Sequence, residues 1–301
     1  MKVCVIMSTY NGHKYLKEQI DSILNQDERD IHIFVRDDNS SDNTIEILES
    51  YQKTGKLSYV KGENLGVAKS FLKALSLSPD ADYYAFADQD DIWDSNKISN
   101  AIKLINIEEL SNPRLPIIYH SKVKIADSYG NVIGQNGKYT KKGFLGGECG
   151  NVIGCTIVFN KILFQEINKY FPTAIIMHDA WVHDVCLALD GIVVYDDIPH
   201  IKYRQHDENQ VGGRRGIISS IKRRIKYYKK RQPNINQKML MQIIEGYGSQ
   251  MNPQYVKRAR KICSYKDSLK NSFDIIFDKS FFQGRPLWRL ERIILILLRK
   301  Y

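Results

Sequence analysis

Asp82-Tyr83-Tyr84-Ala85-Phe86-Ala87-Asp88-Gln89-Asp90-Asp91-Ile92-Trp93 joins an apolar run to three carboxylates within four residues. The run reads as a buried strand. Carboxylates at its end repel one another and are costly to bury unpaired, a cost that a divalent cation would remove. The plainer reading is a polar strand-to-helix loop, with Asp94 or Ser95 capping the next helix. Hard oxygen ligands at a strand's carboxyl end suit Mg²⁺ or Mn²⁺ carrying a substrate diphosphate, and open α/β sheets bind ligands at that edge.

Working back toward the start, Val3–Met7, Ile31–Val35 and Leu57–Val60 are short apolar runs that predict three more strands. Helices are predicted between them, with Leu16, Ile20, Ile23 and Leu24, then Ile45, Leu48 and Tyr51, then Val67, Phe71 and Leu75 facing inward. Such alternation implies a mostly parallel sheet with right-handed crossovers. The ends of the first, second and fourth strands then open on one edge. Ser8-Thr9-Tyr10-Asn11, Asp37-Asp38 and Asp88–Asp91 converge there. Neither a Gly-x-Gly-x-x-Gly fingerprint nor a P-loop occurs, so a nucleotide needs another grip. Tyr10 could serve as a base platform and Asp38 could accept a hydrogen bond from a pyrimidine N–H; a core aromatic and a turn with a helix cap are the plain alternatives.

Beyond the acidic stretch, a helix is expected near Asn96–Ile107, then one strand over Ile117–Ile125 and another over Val152–Phe159. Gly154 and Cys155 interrupt the latter with small residues that let a ligand approach the backbone. Asn136–Gly150 reads as a solvated linker or an acceptor loop. Met177-His178-Asp179-Ala180-Trp181 opens a helix, where Asp179 is either an N-cap or a general base; Asp184 sits inside the same helix and reads as a decoy. Strands over Ile192–Tyr195 and Ile198–Tyr203 lead into Arg204-Gln205-His206, offering a phosphate contact and an imidazole ligand, or simply a surface histidine.

The charge is divided along the chain. Residues 1–211 hold 22 Lys and Arg against 29 Asp and Glu, and residues 212–301 hold 22 against 5, within an overall formal charge of +10. A basic amphipathic helix is predicted around Ile217–Arg231, with further helices over Gln237–Tyr247, Gln254–Leu269 and Pro286–Lys300. Anionic membrane binding fits that pattern, and a homodimer contact is the other use for apolar helix faces. Nucleic acid is the competing anion, but no nucleic-acid motif appears and the acidic part would repel phosphate. Five cysteines without a Cys-x-x-Cys pair argue against a disulfide framework or a structural zinc site. A reduced, cytoplasmic chain without signal peptide or membrane span is expected, peripheral on the inner face of the cell membrane.

The ordered set Met7–Asn11, Arg36-Asp37-Asp38-Asn39-Ser40-Ser41-Asp42-Asn43-Thr44, Glu63-Asn64-Leu65-Gly66, Asp88–Trp93, Met177–Trp181 and Tyr203–His206 resembles the inverting family 2 glycosyltransferases, in particular their bacterial rhamnosyltransferase-like branch. The resemblance covers residues 1 to about 212 and implies a GT-A fold, an α/β Rossmann-like mixed sheet, followed by a basic helical extension over 213–301. It also implies a dTDP- or UDP-linked sugar donor, Mn²⁺ or Mg²⁺, and a lipid-linked saccharide acceptor in surface polysaccharide synthesis. On this resemblance Ser8, Thr9, Tyr10, Asn11, Asp38 and Asp88 bind the nucleotide, Asp90 and His206 meet the metal, and Asp179 is the base. Arg204, Gln89, Asp91, Trp181 and His178 are candidate phosphate or sugar contacts; the extra Asp91 leaves the ligand register open by one residue. A non-catalytic nucleotide-sugar scaffold is the remaining alternative.

Overall fold

A computed structural model describes residues 1–136, 152–206 and 234–278, with residues 290, 293, 294, 296, 297 and 299. The chain opens with three strand–helix units: β1 (Val3–Thr9) and α1 (His13–Leu24), β2 (Ile31–Asp37) and α2 (Thr44–Gln52), β3 (Leu57–Lys61) and α3 (Val67–Leu77). Next come β4 (Tyr83–Ala87), β5 (Ile92–Trp93), α4 (Lys97–Ser111), β6 (Ile117–Ser121), β7 (Lys124–Ala126) and β8 (Val132–Gln135). The elements that follow are β9 (Val158–Asn160), α5 (Lys161–Ile167), α6 (His178–Ala188), β10 (Ile192–Asp196), β11 (Ile201–Arg204), α7 (Ile235–Tyr247), α8 (Pro253–Cys263) and α9 (Leu269–Phe277).

Seven strands form the central sheet in the order β10-β6-β9-β4-β1-β2-β3. β9 runs antiparallel to both neighbours and the other pairs are parallel, which makes the sheet mixed. Period-2 alternation divides the core between the faces. Cys4 and Ile6 of β1 point toward α3, α5, α6 and α7, whereas Val3, Val5 and Met7 point toward α1, α2 and α4. A second sheet, β5-β11-β7-β8, stands beyond the end of β4. β11 is antiparallel to β5 and parallel to β7, so its last residues finish beside the acidic loop.

Several expectations change. The strand over Ile117–Ile125 divides between the sheets, β6 ending where the Lys122 N–H turns to the Asp196 carbonyl. The strand over Val152–Phe159 becomes a 3₁₀ turn at Gly154–Thr156, with the Thr156 hydroxyl on the Ile153 carbonyl, before the short β9. Neither Asp94 nor Ser95 caps α4: Asn96 holds that position, and the Asp94 carboxylate pairs with Lys124 at 2.6 Å. The helix over Gln254–Leu269 breaks after Cys263, and Ser268 caps α9 by accepting the Asn271 N–H. Among the described residues no helix is long and apolar enough to cross a membrane. The basic stretch 217–231, residues 137–150 and most of 286–300 lie outside the described residues.

Candidate active site

The β1–β2 register pairs Thr9 with Asp37, and the β1–β4 register pairs Met7 with Ala87, so Ser8, Asp38 and Asp88 meet on one sheet edge. Thr9 is buried and donates its hydroxyl to Asp37 at 3.0 Å, a carboxylate that also accepts the Ser40 N–H at 2.9 Å. That pair fixes the turn after β2. Asp38 is buried against Arg36 and accepts the N–H groups of Leu65 and Gly66, each at 2.9 Å. Gly66 has φ +76°, a backbone that favours glycine, and this bend brings its N–H onto Asp38. Gln89 exchanges hydrogen bonds with the backbone of Tyr10 at 2.9 and 3.1 Å, while the Tyr10 side chain stands half exposed. The bond clamps the loop after β1 to the acidic loop.

A cavity of about 1280 Å³ opens along this edge, and both Asp88 and Asp90 line it. Asp90 meets His206 Nε2 at 2.7 Å, and the His206 ring packs on Tyr15 at 5.0 Å. Burial, with Asp90 and Asp179 nearby, pushes Asp88 up to about 7. Asp91 turns inward instead; it is fully buried and accepts the Arg204 N–H at 3.1 Å. Asp88, Asp91 and Cys155 present ligand atoms within 4.8 Å of one another, but burial raises the Cys155 thiol well above its ordinary range and keeps it protonated. The hard ligands are therefore the carboxylates, with His206 alongside. Burial raises Asp88, and repulsion from Asp90 and Asp179 adds to it; a divalent cation offsets both, so this donor set fits Mg²⁺ or Mn²⁺.

Asp179 lies across the same cavity in the first turn of α6. Met177 occupies the cap position, so Asp179 is not the N-cap; its carboxylate accepts the following Ala180 N–H at 2.7 Å. Burial pushes it up to about 6, against the backbone N–H groups of Ala180 and Gly154, which favour its charged form. A carboxylate with that value is ionised at neutral pH yet basic enough to take a proton. Asp184 pairs with His183 at 3.3 Å and does not line the cavity.

Of the residues singled out from sequence, Ser8, Tyr10, Asn11, Asp38, Asp88, Gln89, Asp90, His178, Asp179 and His206 line the cavity. Thr9, Asp91, Trp181 and Arg204 do not. Trp181 is buried in the core 6.2 Å from Tyr247. Arg204 lies beneath the acidic loop, giving Nε to the Asp90 carbonyl at 2.8 Å, Nη1 to the Ser128 carbonyl at 2.9 Å and Nη2 to Glu18 at 2.5 Å. It braces the loop, which is a different task from contacting phosphate. Sequence reasoning gave no task to Asn64, Gly66, Tyr203 or Gln205, which also line the cavity. Strand alternation was the available signal for Tyr203, since neighbours in β11 must face opposite ways.

A mixed α/β sheet whose edge gathers a large cavity, an acidic loop and a carboxylate at a helix start is the arrangement of the GT-A fold. Residues 4–167, more than half of the chain, match the glycosyl transferase family 2 model, and the chain belongs to that family. It is 32% identical over 247 residues to the dTDP-rhamnosyl transferase RfbG of Shigella flexneri, covering 74% of this chain and 81% of the relative. Its fold is similar to S. aureus TarS 1-349 in complex with UDP-GlcNAc, at TM-score 0.59 and 16% identity over 98% of this chain and 81% of that one. The mannosyltransferase PcManGT from Pyrobaculum calidifontis, in complex with GDP-Man and Mn²⁺, is similar at TM-score 0.53 and 17% identity, covering 99% of this chain and 86% of the other.

Proposed function

We propose that this enzyme transfers L-rhamnose from dTDP-rhamnose, with inversion at the anomeric carbon, to a lipid-linked saccharide acceptor in bacterial surface polysaccharide synthesis. A UDP-hexose is the second donor to consider. The observation that carries the reading is the meeting of Asp88, Asp90 and Asp179 on one cavity, with Asp179 held near 6. The 32% identity to a dTDP-rhamnosyl transferase supports the choice of donor.

In this mechanism Tyr10 flanks the base and Asp38 holds the loop that faces it, while Asp90 and His206 would hold the cation. A bound divalent cation supplies charge neutralisation for the diphosphate. Asp179 takes the proton from an acceptor hydroxyl as that oxygen bonds to the anomeric carbon and the bond from carbon to diphosphate oxygen breaks. The products are an inverted glycoside and a nucleoside diphosphate. No covalent sugar–enzyme intermediate is formed.

The purified protein, given dTDP-rhamnose or UDP-glucose with a membrane lipid extract and Mn²⁺, should transfer rhamnose and lose that activity in EDTA. Equal activity in EDTA would remove the metal from the proposal. Transfer from UDP-glucose alone would replace the donor.

A further inference from the structure

Gln89 stands between Asp88 and Asp90 in the chain, and its side chain turns to the loop after β1. Oε1 accepts the Tyr10 N–H at 2.9 Å, and Nε2 donates to the Tyr10 carbonyl at 3.1 Å. One side-chain amide thus copies the exchange of bonds by which a residue on an antiparallel strand would hold its partner. Two bonds to one residue fix the tilt of its backbone, where a single bond leaves a hinge. From the other side the same loop is fastened to the turn after β2. The Asn11 N–H donates to the Ser40 hydroxyl at 2.9 Å, Asn11 Oδ1 accepts the Ser41 N–H at 2.8 Å, and the Gly12 N–H donates to the Thr44 hydroxyl at 2.9 Å. Tyr10, half exposed and lining the cavity, is held between the two.

Gly12 makes room for that amide. Its φ of −98° is open to any L residue, so no backbone demand accounts for a glycine there. A Cβ at this position would lie 2.4 Å from Gln89 Oε1 and 2.6 Å from its Cδ. Alanine would therefore displace the amide from Tyr10 while leaving the glutamine in the sequence.

We propose that Gln89 couples the two halves of the donor site: filling the cation site at Asp88 and Asp90 firms the Tyr10 loop for the nucleotide base, through the Gln89 amide and the space that Gly12 leaves for it. The inference rests on the nucleotide and cation sites of the reading above. Asp88 and Asp90 line the same cavity as Tyr10, and their like charges oppose one another. A cation removes that opposition, and the residue between the two carboxylates shares their backbone, so what steadies them steadies the amide. Gln89 is then a positioning residue that acts on the base through Tyr10. Such coupling is reciprocal, and a bound base tightens the cation by the same factor. A nucleoside diphosphate would hide the effect, because its phosphates meet the cation directly; a nucleoside lacks them.

The test is equilibrium dialysis of thymidine against the full chain, in EDTA and in Mg²⁺. Mg²⁺ should tighten thymidine about 3- to 10-fold in the wild type, a factor of the size that one or two main-chain hydrogen bonds carry. In Gln89→Ala the ratio of the two affinities should fall to about 1. Gly12→Ala should do the same, and the double variant should be no worse than either single one, since both act on one amide. A purely structural role would weaken thymidine equally with and without Mg²⁺ and leave the ratio as it was. An unchanged ratio in Gln89→Ala would overturn the inference, as would a wild-type thymidine affinity indifferent to Mg²⁺. Uridine gives the same comparison if the donor is a UDP-hexose. If neither dTDP nor UDP binds the wild type in Mg²⁺, the donor reading and the inference fall together; if one of them binds and its nucleoside shows a ratio of about 1, the inference alone fails.

Discussion

Asp179 must be ionised to accept a proton, and it sits where ionisation is unfavourable. Its value of about 6 predicts that transfer rises with pH through that region and levels off above it, because only the carboxylate is a base. A pH profile of kcat should show this acid limb, and Asp179→Asn should lower kcat by roughly 10²- to 10⁴-fold while leaving dTDP binding intact. Near-normal turnover by that variant would remove Asp179 from its role. The same shift makes a stability prediction of definite sign. The folded value exceeds the ordinary one of 3.8, so the protonated carboxyl favours the fold below about pH 4, and this contribution is lost as pH rises through 6. Asparagine imitates the protonated form. Asp179→Asn should therefore be more stable than wild type at pH 8, on the order of 1–3 kcal/mol, with little difference at pH 4.5. Urea unfolding in EDTA at the two pH values measures this, and an equal gap at both would contradict it.

The short second sheet decides the geometry of the acidic loop, and β11 does so chiefly through Arg204. Its guanidinium and backbone N–H hold Asp90, Ser128, Glu18 and Asp91 together from a buried position. Arg204→Met would strand the carbonyls of Asp90 and Ser128 without their donors, which predicts a loss of roughly 2–4 kcal/mol in unfolding free energy and a higher Mn²⁺ concentration for half-activation. Arg204→Lys should recover little, since an ammonium lacks the planar fork that spans these acceptors. Full stability in either variant would show that β5 and β7 hold the loop unaided. Arg204 also marks where sequence reading stopped. β1 to β4 were legible because each is an apolar run followed by a polar turn, and parallel strands put the ends of β1, β2 and β4 on one edge whatever the side-chain details. Asp88 and Asp90 followed from that logic, whereas Asp179 was read from its place at a helix start and from the family resemblance. β5, β7 and β9 span only two or three residues, too few to display a period, so the split of Ile117–Ile125 and the antiparallel β9 were hidden. With the second sheet unseen, alternation put Tyr203 and Arg204 on opposite faces without indicating which of the two meets the cavity.

Charge and packing divide the molecule at different places. Residues 212–301 carry 22 basic against 5 acidic side chains, while residues 1–211 are net acidic. Packing ignores that change of sign: Met239, Ile243 and Tyr247 of α7 and Ile262 of α8 lie in the same hydrophobic cluster as Phe86 of β4 and Trp181 of α6. Deleting residues 214–301 would uncover that cluster, so a lost function in such a truncation would not isolate the role of charge. Exposed apolar side chains on α9, Leu269, Phe273 and Phe277, recur every fourth residue and form a stripe. The discriminating change therefore keeps every packed helix and alters charge alone. Replacing Lys222, Arg223, Arg224, Lys226, Lys229 and Lys230 by glutamine lowers the formal charge from +10 to +4. Binding to vesicles containing anionic lipid should weaken by up to about 1 kcal/mol per residue replaced, and the wild-type affinity should itself fall as salt is raised. Neutral vesicles should bind both proteins alike, and dTDP affinity should be unchanged. Equal binding of the two proteins to anionic vesicles would separate the basic segment from the membrane, leaving the exposed stripe on α9 as the surface to alter next.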